Sequence, residues 1–259
     1  MRTSRSYFTI IVALGIWSTG ALADDGFRAV DFTTADGIRA RADVYDSAPS
    51  SATWVLLFHQ AGWSRGEYRE IAPKLVEAGY RVMALDQRSG GSVNGVRNET
   101  HRRAARKKLR TNYLDAYADL ESALHYARKE LGAARVVVWG SSYSASLVFR
   151  LAAEHPKDIE AVLAFSPGEY FKNAGTSYVG DFAKRVTQPL FVTSSKQERP
   201  QVAPIFKLSP ADKKILFTPA SRGQHGSRAL WAKWPDNDVY WAAVNGFLEK
   251  YVPPAPPAE

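Results

Sequence analysis

The stretch that most constrains the fold covers residues 135–149 and reads RVVVWGSSYSASLVF. Its β-branched and aromatic run, 136–139, is typical of a buried strand, and the apolar residues from Ala145 onward are typical of a buried helix. The small residues between these runs predict a sharp turn from strand to helix. Such a turn holds its central residue, Ser142, in a strained backbone conformation at the helix N-terminus, where free N–H groups favour a developing negative charge.

Apolar runs and helical patterns alternate along the rest of the chain. An antiparallel hairpin is predicted over residues 27–33 and 38–45, because Asp36-Gly37 between them is a strong turn signal. Continuous apolar runs predict five further strands, at 54–58, 80–85, 161–165, 189–193 and 214–218. Helical spacing predicts helices at 67–78, 102–131 and 236–251, the last with Asp236 or Asn237 as N-cap. Strands that alternate with helices indicate parallel βαβ units.

This order, with the serine turn after the fifth strand, resembles the α/β-hydrolase superfamily and its G-x-S-x-G nucleophile motif. The resemblance covers essentially residues 24–259, which we interpret as one domain with a Pro-rich tail at 253–259. It implies an α/β fold with a mostly parallel eight-stranded sheet, helices on both faces and at most a small cap. It also implies that Ser142 is the nucleophile. Ser144 stands where the motif has its last Gly, so that position must accommodate a Cβ atom.

A serine hydroxyl becomes a good nucleophile when an imidazole takes its proton, and a carboxylate must orient that imidazole. Of the five histidines, His225 in the sequence GQHG follows the last predicted strand, where the superfamily has its base. The superfamily's acid follows the seventh strand, and the sequence SKQE at 195–198 resembles its G-x-x-D pattern. The resemblance therefore implies Glu198 as the acid, with Glu169 and Asp181 as alternatives.

Two further turns resemble superfamily elements near the site. The sequence HQAG at 59–62 resembles the His-Gly-x element that supplies one N–H group of the oxyanion hole. This match implies the backbone N–H groups of Ala61 and Tyr143 as oxyanion donors, with Gln60 in place of the usual Gly, and His59 is expected to be structural. The sequence DQRSGG at 86–91 resembles the D-x-R-G-x-G turn, which we interpret as structural.

The first 23 residues have the pattern of a signal peptide. Two arginines precede a short apolar run at 8–17, and Ala-Leu-Ala at 21–23 matches the A-x-A cleavage pattern. The apolar run is about half as long as a membrane-spanning helix requires, which argues against a retained membrane anchor. We therefore expect a mature chain that begins at Asp24 and a periplasmic or secreted location.

Composition narrows the chemistry further. The chain has no cysteine, which excludes disulfides, a thiol nucleophile and Cys-based metal sites. Its net charge is +8, and the basic run 101–110 is interpreted as a solvated helix face, with Arg102 and Arg103 as the candidates for contact with an anionic substrate. No aromatic residues interleave this run, so no nucleic-acid partner is expected. The sequence Asp-Asn-Asp at 236–238 lacks the other ligands of a calcium loop, and no metal or cofactor is predicted.

The resemblance implies a serine hydrolase that acts on a small-molecule acyl substrate, and the signal-peptide pattern predicts that it is exported. The expected reaction is cleavage of a carboxylic ester, thioester or lactone through an acyl-Ser142 intermediate, as in dienelactone-hydrolase-like esterases. A peptidase or amidase would use the same triad and is an alternative. A non-catalytic binding protein on this fold is a second alternative, against which the chain order Ser142, Glu198, His225 argues.

Overall fold

An eight-stranded sheet runs through the computed structural model, which describes residues 26–254. The predicted signal peptide, 1–23, and the end of the predicted tail, 255–259, lie outside the described residues. The strands of this sheet are β1 (Arg28–Thr33), β2 (Arg39–Tyr45), β3 (Trp54–Phe58), β4 (Arg81–Leu85), β7 (Val136–Ser141), β8 (Ala161–Phe165), β9 (Leu190–Thr193) and β10 (Lys214–Phe217). A separate two-residue hairpin is formed by β5 (Ser92–Val93) and β6 (Val96–Arg97).

The strand order in the sheet is β1-β2-β4-β3-β7-β8-β9-β10. Strand β2 pairs antiparallel with both β1 and β4, and all other neighbours pair in parallel. The predicted hairpin and the predicted mostly parallel eight-stranded sheet are therefore confirmed.

Helices cover both faces of the sheet. In the described part of the chain they are α1 (Ile71–Glu77), α2 (Glu99–Arg106), α3 (Tyr117–Lys129), α4 (Tyr143–Glu154), α5 (Tyr178–Ala183), α6 (Arg199–Leu208) and α7 (Asn237–Tyr251). Short 3-10 helices occur at Arg65–Tyr68, Lys172–Ala174 and Ser227–Leu230. Only Lys172–Ala174 and the short α5 lie between β8 and β9, as expected for a small cap. No helix among the described residues is long and apolar enough to cross a membrane.

Side chains on successive strand positions alternate between two apolar cores. Trp54, Leu56 and Phe58 of β3 enter the core shared with α3 and α4, whereas Val55 and Leu57 enter the core shared with α1 and α7. All five residues are buried. A strand covered on both faces needs apolar residues at every position, which explains the continuous apolar runs in the sequence.

The prediction of a single helix over residues 102–131 is wrong, because the chain is not helical between α2 and α3. Lys108 adopts a left-handed φ of +54° just after α2. The following segment is held by Asp115, whose carboxylate accepts hydrogen bonds from the Arg110 side chain at 2.7 Å and from the Asn112 N–H at 3.1 Å. The Arg and Lys residues of this segment supply no apolar face to bury against the core. Side-chain hydrogen bonds to the local backbone take the place of the i to i−4 hydrogen bonds of a helix.

Two other helix predictions change in detail. The helix predicted over 67–78 begins at Ile71, so Pro73 lies in its first turn, where its missing N–H breaks no intrahelical bond. Asp236 occupies the N-cap position of α7, but its carboxylate accepts a hydrogen bond from Ser221 at 2.6 Å and caps no N–H group. Helix α6 was not predicted.

The carboxyl ends of the parallel strands meet at one edge of the sheet. Phe58 of β3 pairs with Gly140 of β7, and Phe165 of β8 pairs with both Ser141 of β7 and Thr193 of β9. The chain leaves β3 toward β4 on one side, and leaves β7 toward β8 on the other. In open α/β sheets the ligand crevice lies at such a reversal of strand order, which directs attention to the segments after β3 and β7.

Gly140 allows α4 to approach β7 closely, and this contact yields a stability prediction. A Cβ atom on Gly140 would press against the Ser144 carbonyl oxygen and lie 2.5 Å from the Ala145 nitrogen, both of which are backbone atoms. We expect Gly140→Ala to lower the free energy of unfolding by about 1–3 kcal/mol, as overpacked sites do. Urea denaturation followed by circular dichroism measures this change.

Gly246 provides the matched control. It lies inside α7, and a Cβ atom there would meet nothing within 4 Å. Gly246→Ala should therefore be neutral or stabilising by roughly 0.5–1 kcal/mol, because Ala favours helix. Equal stability of the two variants would contradict the close approach at Gly140.

Candidate active site

Ser142 lies at the turn between β7 and α4 in a strained conformation. Its φ is +59° and its ψ is −122°, values that are costly for a residue with a side chain. The turn is held because the Ser142 N–H donates to the Phe165 carbonyl at 2.8 Å and the Ser142 carbonyl accepts from the Ser146 N–H at 3.2 Å. The strained elbow predicted from the sequence is therefore confirmed.

Ser144, the departure from the G-x-S-x-G motif, ties the elbow to its neighbours. Its hydroxyl donates to the His59 carbonyl at 2.6 Å and accepts a hydrogen bond from the Gln87 side-chain amide. Gly at position 144 would leave the His59 carbonyl and the Gln87 amide without the Ser144 hydroxyl as a hydrogen-bond partner. The sequence analysis treated Ser144 as a steric problem, whereas the structure shows that its hydroxyl joins the elbow to the residues after β3 and β4.

His225 and Glu198 are in direct contact. The Nδ1 atom of His225 is hydrogen-bonded to Oε1 of Glu198. The other carboxylate oxygen of Glu198 accepts from the Ser195 N–H at 3.0 Å, the Ser195 hydroxyl at 2.7 Å and the Ser166 hydroxyl at 2.9 Å. Burial raises the pKa of Glu198, but the His225 contact and these hydrogen bonds outweigh burial and lower the pKa to about 2.

The two alternative acids have other partners. Glu169 accepts hydrogen bonds at 2.9 Å from the Val179 and Gly180 N–H groups at the start of α5. Asp181 is exposed and pairs with Lys184 at 2.9 Å. Among the described residues, Glu198 is thus the candidate acid that touches His225.

Backbone hydrogen bonds hold the His225 loop against the elbow. The Gly226 N–H donates to the Ser166 hydroxyl at 2.9 Å, and the Ser227 N–H donates to the Ser141 hydroxyl at 2.9 Å. A Cβ atom on Gly226 would lie 2.5 Å from the Ser141 hydroxyl oxygen. The loop therefore packs directly on the residue before Ser142, and its Gly permits that contact.

Tyr170 is a neighbour of the Ser142 side chain. Its hydroxyl donates to the Ser166 carbonyl at 2.9 Å. Burial raises the pKa of Tyr170 to about 12, and interaction with the Ser142 hydroxyl acts in the opposite direction. Within residues 26–254 no hydrogen bond joins the Ser142 hydroxyl to His225. Catalytic hydrogen bonds commonly tighten only when substrate binds, so this arrangement is compatible with a Ser–His pair.

The two predicted oxyanion donors have unoccupied N–H groups. The Gln60 N–H donates to Glu67 at 2.8 Å, but neither Ala61 nor Tyr143 has a protein acceptor for its N–H in the described part of the chain. Tyr143 is the first residue of α4, where N–H groups have no partner within the helix. Both groups remain available to an oxyanion.

His59 is fully buried and belongs to a structural network. Its Nδ1 atom is 2.7 Å from the Gln60 carbonyl oxygen, and its Nε2 atom accepts from the Gln87 N–H at 3.0 Å. Burial lowers the pKa of His59 to about 4, so the imidazole is neutral at physiological pH. This neutral, fully bonded ring agrees with the structural role expected for it.

Arg102 and Arg103 form ion pairs with carboxylates outside the candidate triad. Arg102 pairs with Glu99 on its own helix, and Arg103 pairs with Asp31 of β1 at 2.7 Å. The Arg103–Asp31 pair attaches α2 to the sheet, whereas the Arg102–Glu99 pair lies within α2. A role for the two arginines in attracting an anionic substrate stays a prediction. Arg110, further along the same basic run, lies at the rim of a cavity described below.

Glu67 is a site residue that the sequence analysis missed. This fully buried carboxyl group accepts hydrogen bonds from the Ser141 hydroxyl at 2.7 Å and from the Gln60 N–H at 2.8 Å. Burial raises its pKa to about 7, although both hydrogen bonds and the nearby His225 and Arg228 act in the opposite direction. No motif marks Glu67, because the segments it joins are distant in sequence.

The carboxylate and imidazole groups around the elbow are the kinds of side chain that can bind a metal ion. No group of three or more His, Cys, Asp or Glu side chains in the described ranges could hold a metal ion.

Comparisons with known proteins place this geometry in context. A family model described as serine aminopeptidase, S33, matches residues 49–232. No curated protein matches the chain by sequence. Solved structures that share its fold include three that are each 15–18% identical to it. The esterase Pf2001 from Pyrococcus furiosus has a TM-score of 0.68 and 18% identity, with 87% of this chain and 92% of that chain covered.

Two further structures have similar scores. A dienelactone hydrolase from Anabaena variabilis has a TM-score of 0.66 and 16% identity, over 87% of this chain and 97% of that chain. Est1E from Butyrivibrio proteoclasticus, solved with ferulic acid bound, has a TM-score of 0.65 and 15% identity, over 86% of this chain and 99% of that chain.

The raised pKa of Glu67 predicts a pH-dependent stability. Its pKa rises from an ordinary 4.5 to about 7 on folding, so its contribution is fully present below pH 4.5 and is lost as the pH rises through 7. Wild-type protein should lose up to ~3 kcal/mol of stability over this window from Glu67 alone. Urea denaturation at intervals from pH 4.5 to 8 measures the slope.

Glu67→Gln isolates this effect, because an amide of the same shape does not titrate. The variant should lack the Glu67 part of the slope and should gain stability relative to wild type as the pH rises. Glu70→Gln, at an exposed carboxyl group three positions along, is the control and should keep the wild-type slope. Identical slopes for wild type and Glu67→Gln would contradict the raised pKa.

Proposed function

Because the chain belongs to the S33 serine aminopeptidase family of α/β hydrolases, we propose that this hydrolase cleaves a carboxylic ester, thioester or lactone through an acyl-Ser142 intermediate. The observation that carries the proposal is the direct contact of Glu198 with His225 beside the strained Ser142. The esterases and the dienelactone hydrolase that share the fold support the choice of an acyl–oxygen or acyl–sulfur bond over other bonds.

In this mechanism the Ser142 hydroxyl attacks the substrate carbonyl carbon while Nε2 of His225 takes the hydroxyl proton. The carbonyl oxygen becomes an oxyanion, which the N–H groups of Ala61 and Tyr143 stabilise. The intermediate collapses as the imidazolium gives its proton to the leaving alcohol or thiol. Water, activated by His225, then attacks the acyl-serine ester and releases the acid and free Ser142.

Glu198 supports this cycle through charge and orientation. Its pKa of about 2 keeps it ionised at physiological pH, so it favours the imidazolium that forms in each step. Its contact with Nδ1 leaves Nε2 as the atom that exchanges protons with Ser142 and the leaving group.

An aminopeptidase, as the family description suggests, is the second candidate. Such an enzyme must bind the positively charged N-terminus of a peptide, which calls for an unpaired carboxylate near the nucleophile. In the described chain the carboxylates around the elbow are engaged: Glu198 by His225, Glu67 by Ser141 and Glu169 by the start of α5. This pattern favours ester cleavage over N-terminal peptide cleavage.

Export remains part of the proposal. The arginines, the short apolar run and the Ala-Leu-Ala sequence support cleavage after residue 23 and a periplasmic or secreted location. Intact mass spectrometry of the protein from its native host should give the mass of a chain that begins at Asp24. A mass that includes residues 1–23 would refute export by cleavage.

Labelling with a fluorophosphonate probe tests the nucleophile. Wild-type protein should be labelled and Ser142→Ala should not, with a loss of turnover on the order of 10³ or more. Ser141→Ala and Ser144→Ala are the neighbouring controls, and both should retain the label. Label that survives in Ser142→Ala and disappears in either control would assign the nucleophile elsewhere.

The acid is tested in the same assay. Glu198→Gln keeps the shape but removes the charge, so turnover should fall by several orders of magnitude with little change in substrate affinity. Glu169→Gln and Asp181→Asn should retain near-normal turnover. The reverse ranking would move the acid to one of these positions.

A further inference from the structure

A cavity of about 470 Å³ lies beside the candidate nucleophile. Tyr170, one of its walls, donates its hydroxyl to the carbonyl of Ser166, and the preceding residue, Phe165, accepts the Ser142 N–H at 2.8 Å. Tyr113, a second wall, stacks on Tyr143, the residue whose N–H is the proposed oxyanion donor. Two contacts thus connect the cavity to the two sides of the elbow, and a group held in it would extend from an ester bound at Ser142.

The ring of Tyr113 is fixed and still accessible. Its centroid is 4.7 Å from that of Tyr143, with an angle of 20° between the ring planes, and Tyr143 is fully buried in α4. Despite this stacking, Tyr113 is 39% exposed. Stacking already restricts the rotamers of this side chain, so little further conformational entropy is lost when a ligand binds. The exposed ring can therefore offer a surface to a ligand.

The ring of Tyr170 is fixed from the opposite side of the elbow. Its hydroxyl donates to the Ser166 carbonyl at 2.9 Å, and Gly168 packs against the ring. A Cβ atom on Gly168 would lie 2.9 Å from Cζ of Tyr170, so a larger residue there would require the ring to shift. Phe171, which is buried, adds a third aromatic side chain to the same wall.

The rim of the cavity is polar but electrically balanced. Arg110, whose side chain is 83% exposed, is paired with Asp115 at 2.7 Å, so the pair adds no net charge to the rim. Asn112 and Asn173 also line the cavity and offer amide groups. The rim therefore favours a neutral group with hydrogen-bonding substituents.

We propose that this cavity binds an aromatic ring of the substrate, which makes the protein an esterase selective for aryl-bearing esters with neutral polar ring substituents. The proposal rests on the function proposed above and specifies its substrate class. An aliphatic chain would fill the same volume but would gain no ring–ring contact. Stacked and edge-to-face aromatic pairs contribute beyond the area they bury, on the order of three- to tenfold in affinity per pair.

Matched esters test the proposal. Wild-type protein is assayed with methyl 3-phenylpropanoate and methyl 3-cyclohexylpropanoate, and separately with benzyl acetate and cyclohexylmethyl acetate. Each rate is divided by the rate of alkaline hydrolysis of the same ester. We expect kcat/KM to favour the aromatic member by roughly three- to tenfold in one of the two pairs. The pair that responds identifies whether the cavity holds the acyl group or the alcohol.

Variants connect the preference to the cavity. Tyr113→Leu should bring the aromatic-to-saturated ratio close to one, whereas Tyr113→Phe should retain it. Tyr251→Leu changes a partly exposed tyrosine at the end of α7, outside the cavity, and should leave both the rates and the ratio unchanged. Loss of the ratio in Tyr251→Leu, or its survival in Tyr113→Leu, would overturn the assignment to this cavity.

A binding measurement separates this proposal from the proposed function. Calorimetric titration of Ser142→Ala with the same ester pairs measures the affinity for each ester in the absence of turnover. The aromatic member should again bind three- to tenfold more tightly. Absence of any aromatic preference in both binding and turnover would overturn the proposal even if Ser142 is labelled. An aromatic binding preference in a protein that neither is labelled nor hydrolyses esters would support the cavity and refute the esterase.

Discussion

The strained backbone at Ser142 is the constraint around which the rest of the structure is arranged. A side-chain-bearing residue at a φ of +59° costs on the order of 1–3 kcal/mol, and it persists only where its surroundings hold it. Here β7 and α4 meet through Gly140 without room for another atom, and the Phe165 carbonyl binds the Ser142 N–H. The strand and the helix on either side of the elbow are buried along nearly their whole length. Packing energy in the two cores thus stabilises a geometry that local preference opposes.

Serine hydroxyls join the loops of the site in a chain that has no disulfides. Ser141 connects Glu67 to the Ser227 N–H, and Ser144 connects the elbow to the His59 carbonyl. Ser166 connects the Glu198 carboxylate to the Gly226 N–H, and it too has a left-handed φ, of +56°. A hydroxyl can donate one bond and accept another, so each of these serines can tie two loops together. Preorganised contacts of this kind reduce the reorganisation that a reaction at Ser142 would require.

Sequence reasoning succeeded where burial decides the structure and failed where long-range partners do. Continuous apolar runs located the parallel strands, because strands covered on both faces cannot contain polar residues at ordinary cost. The Asp36-Gly37 turn signal located the hairpin of β1 and β2. The segment after Arg106 was assigned to a helix, since its neighbours have helical spacing, but Asp115 binds the local backbone instead. Glu67 was missed for a related reason: its partners are Gln60, in the segment after β3, and Ser141, the last residue of β7, and no local pattern indicates that they meet.

Two carboxyl groups near the elbow, the buried Glu67 and the partly buried Glu198, have opposite electrostatic environments, which separates their roles. Both lose hydration on folding, and this alone would raise both pKa values. Glu198 faces an imidazole and three further donors, so its pKa falls to about 2 and its charge is fixed across physiological pH. Glu67 has two donors and no direct cationic partner, so burial prevails and its pKa rises to about 7. Pairs of titratable groups whose pKa values are driven apart in this way indicate which member carries the working charge. Glu198 therefore suits the orientation of His225, whereas Glu67 suits the mechanical connection of the oxyanion loop to the elbow.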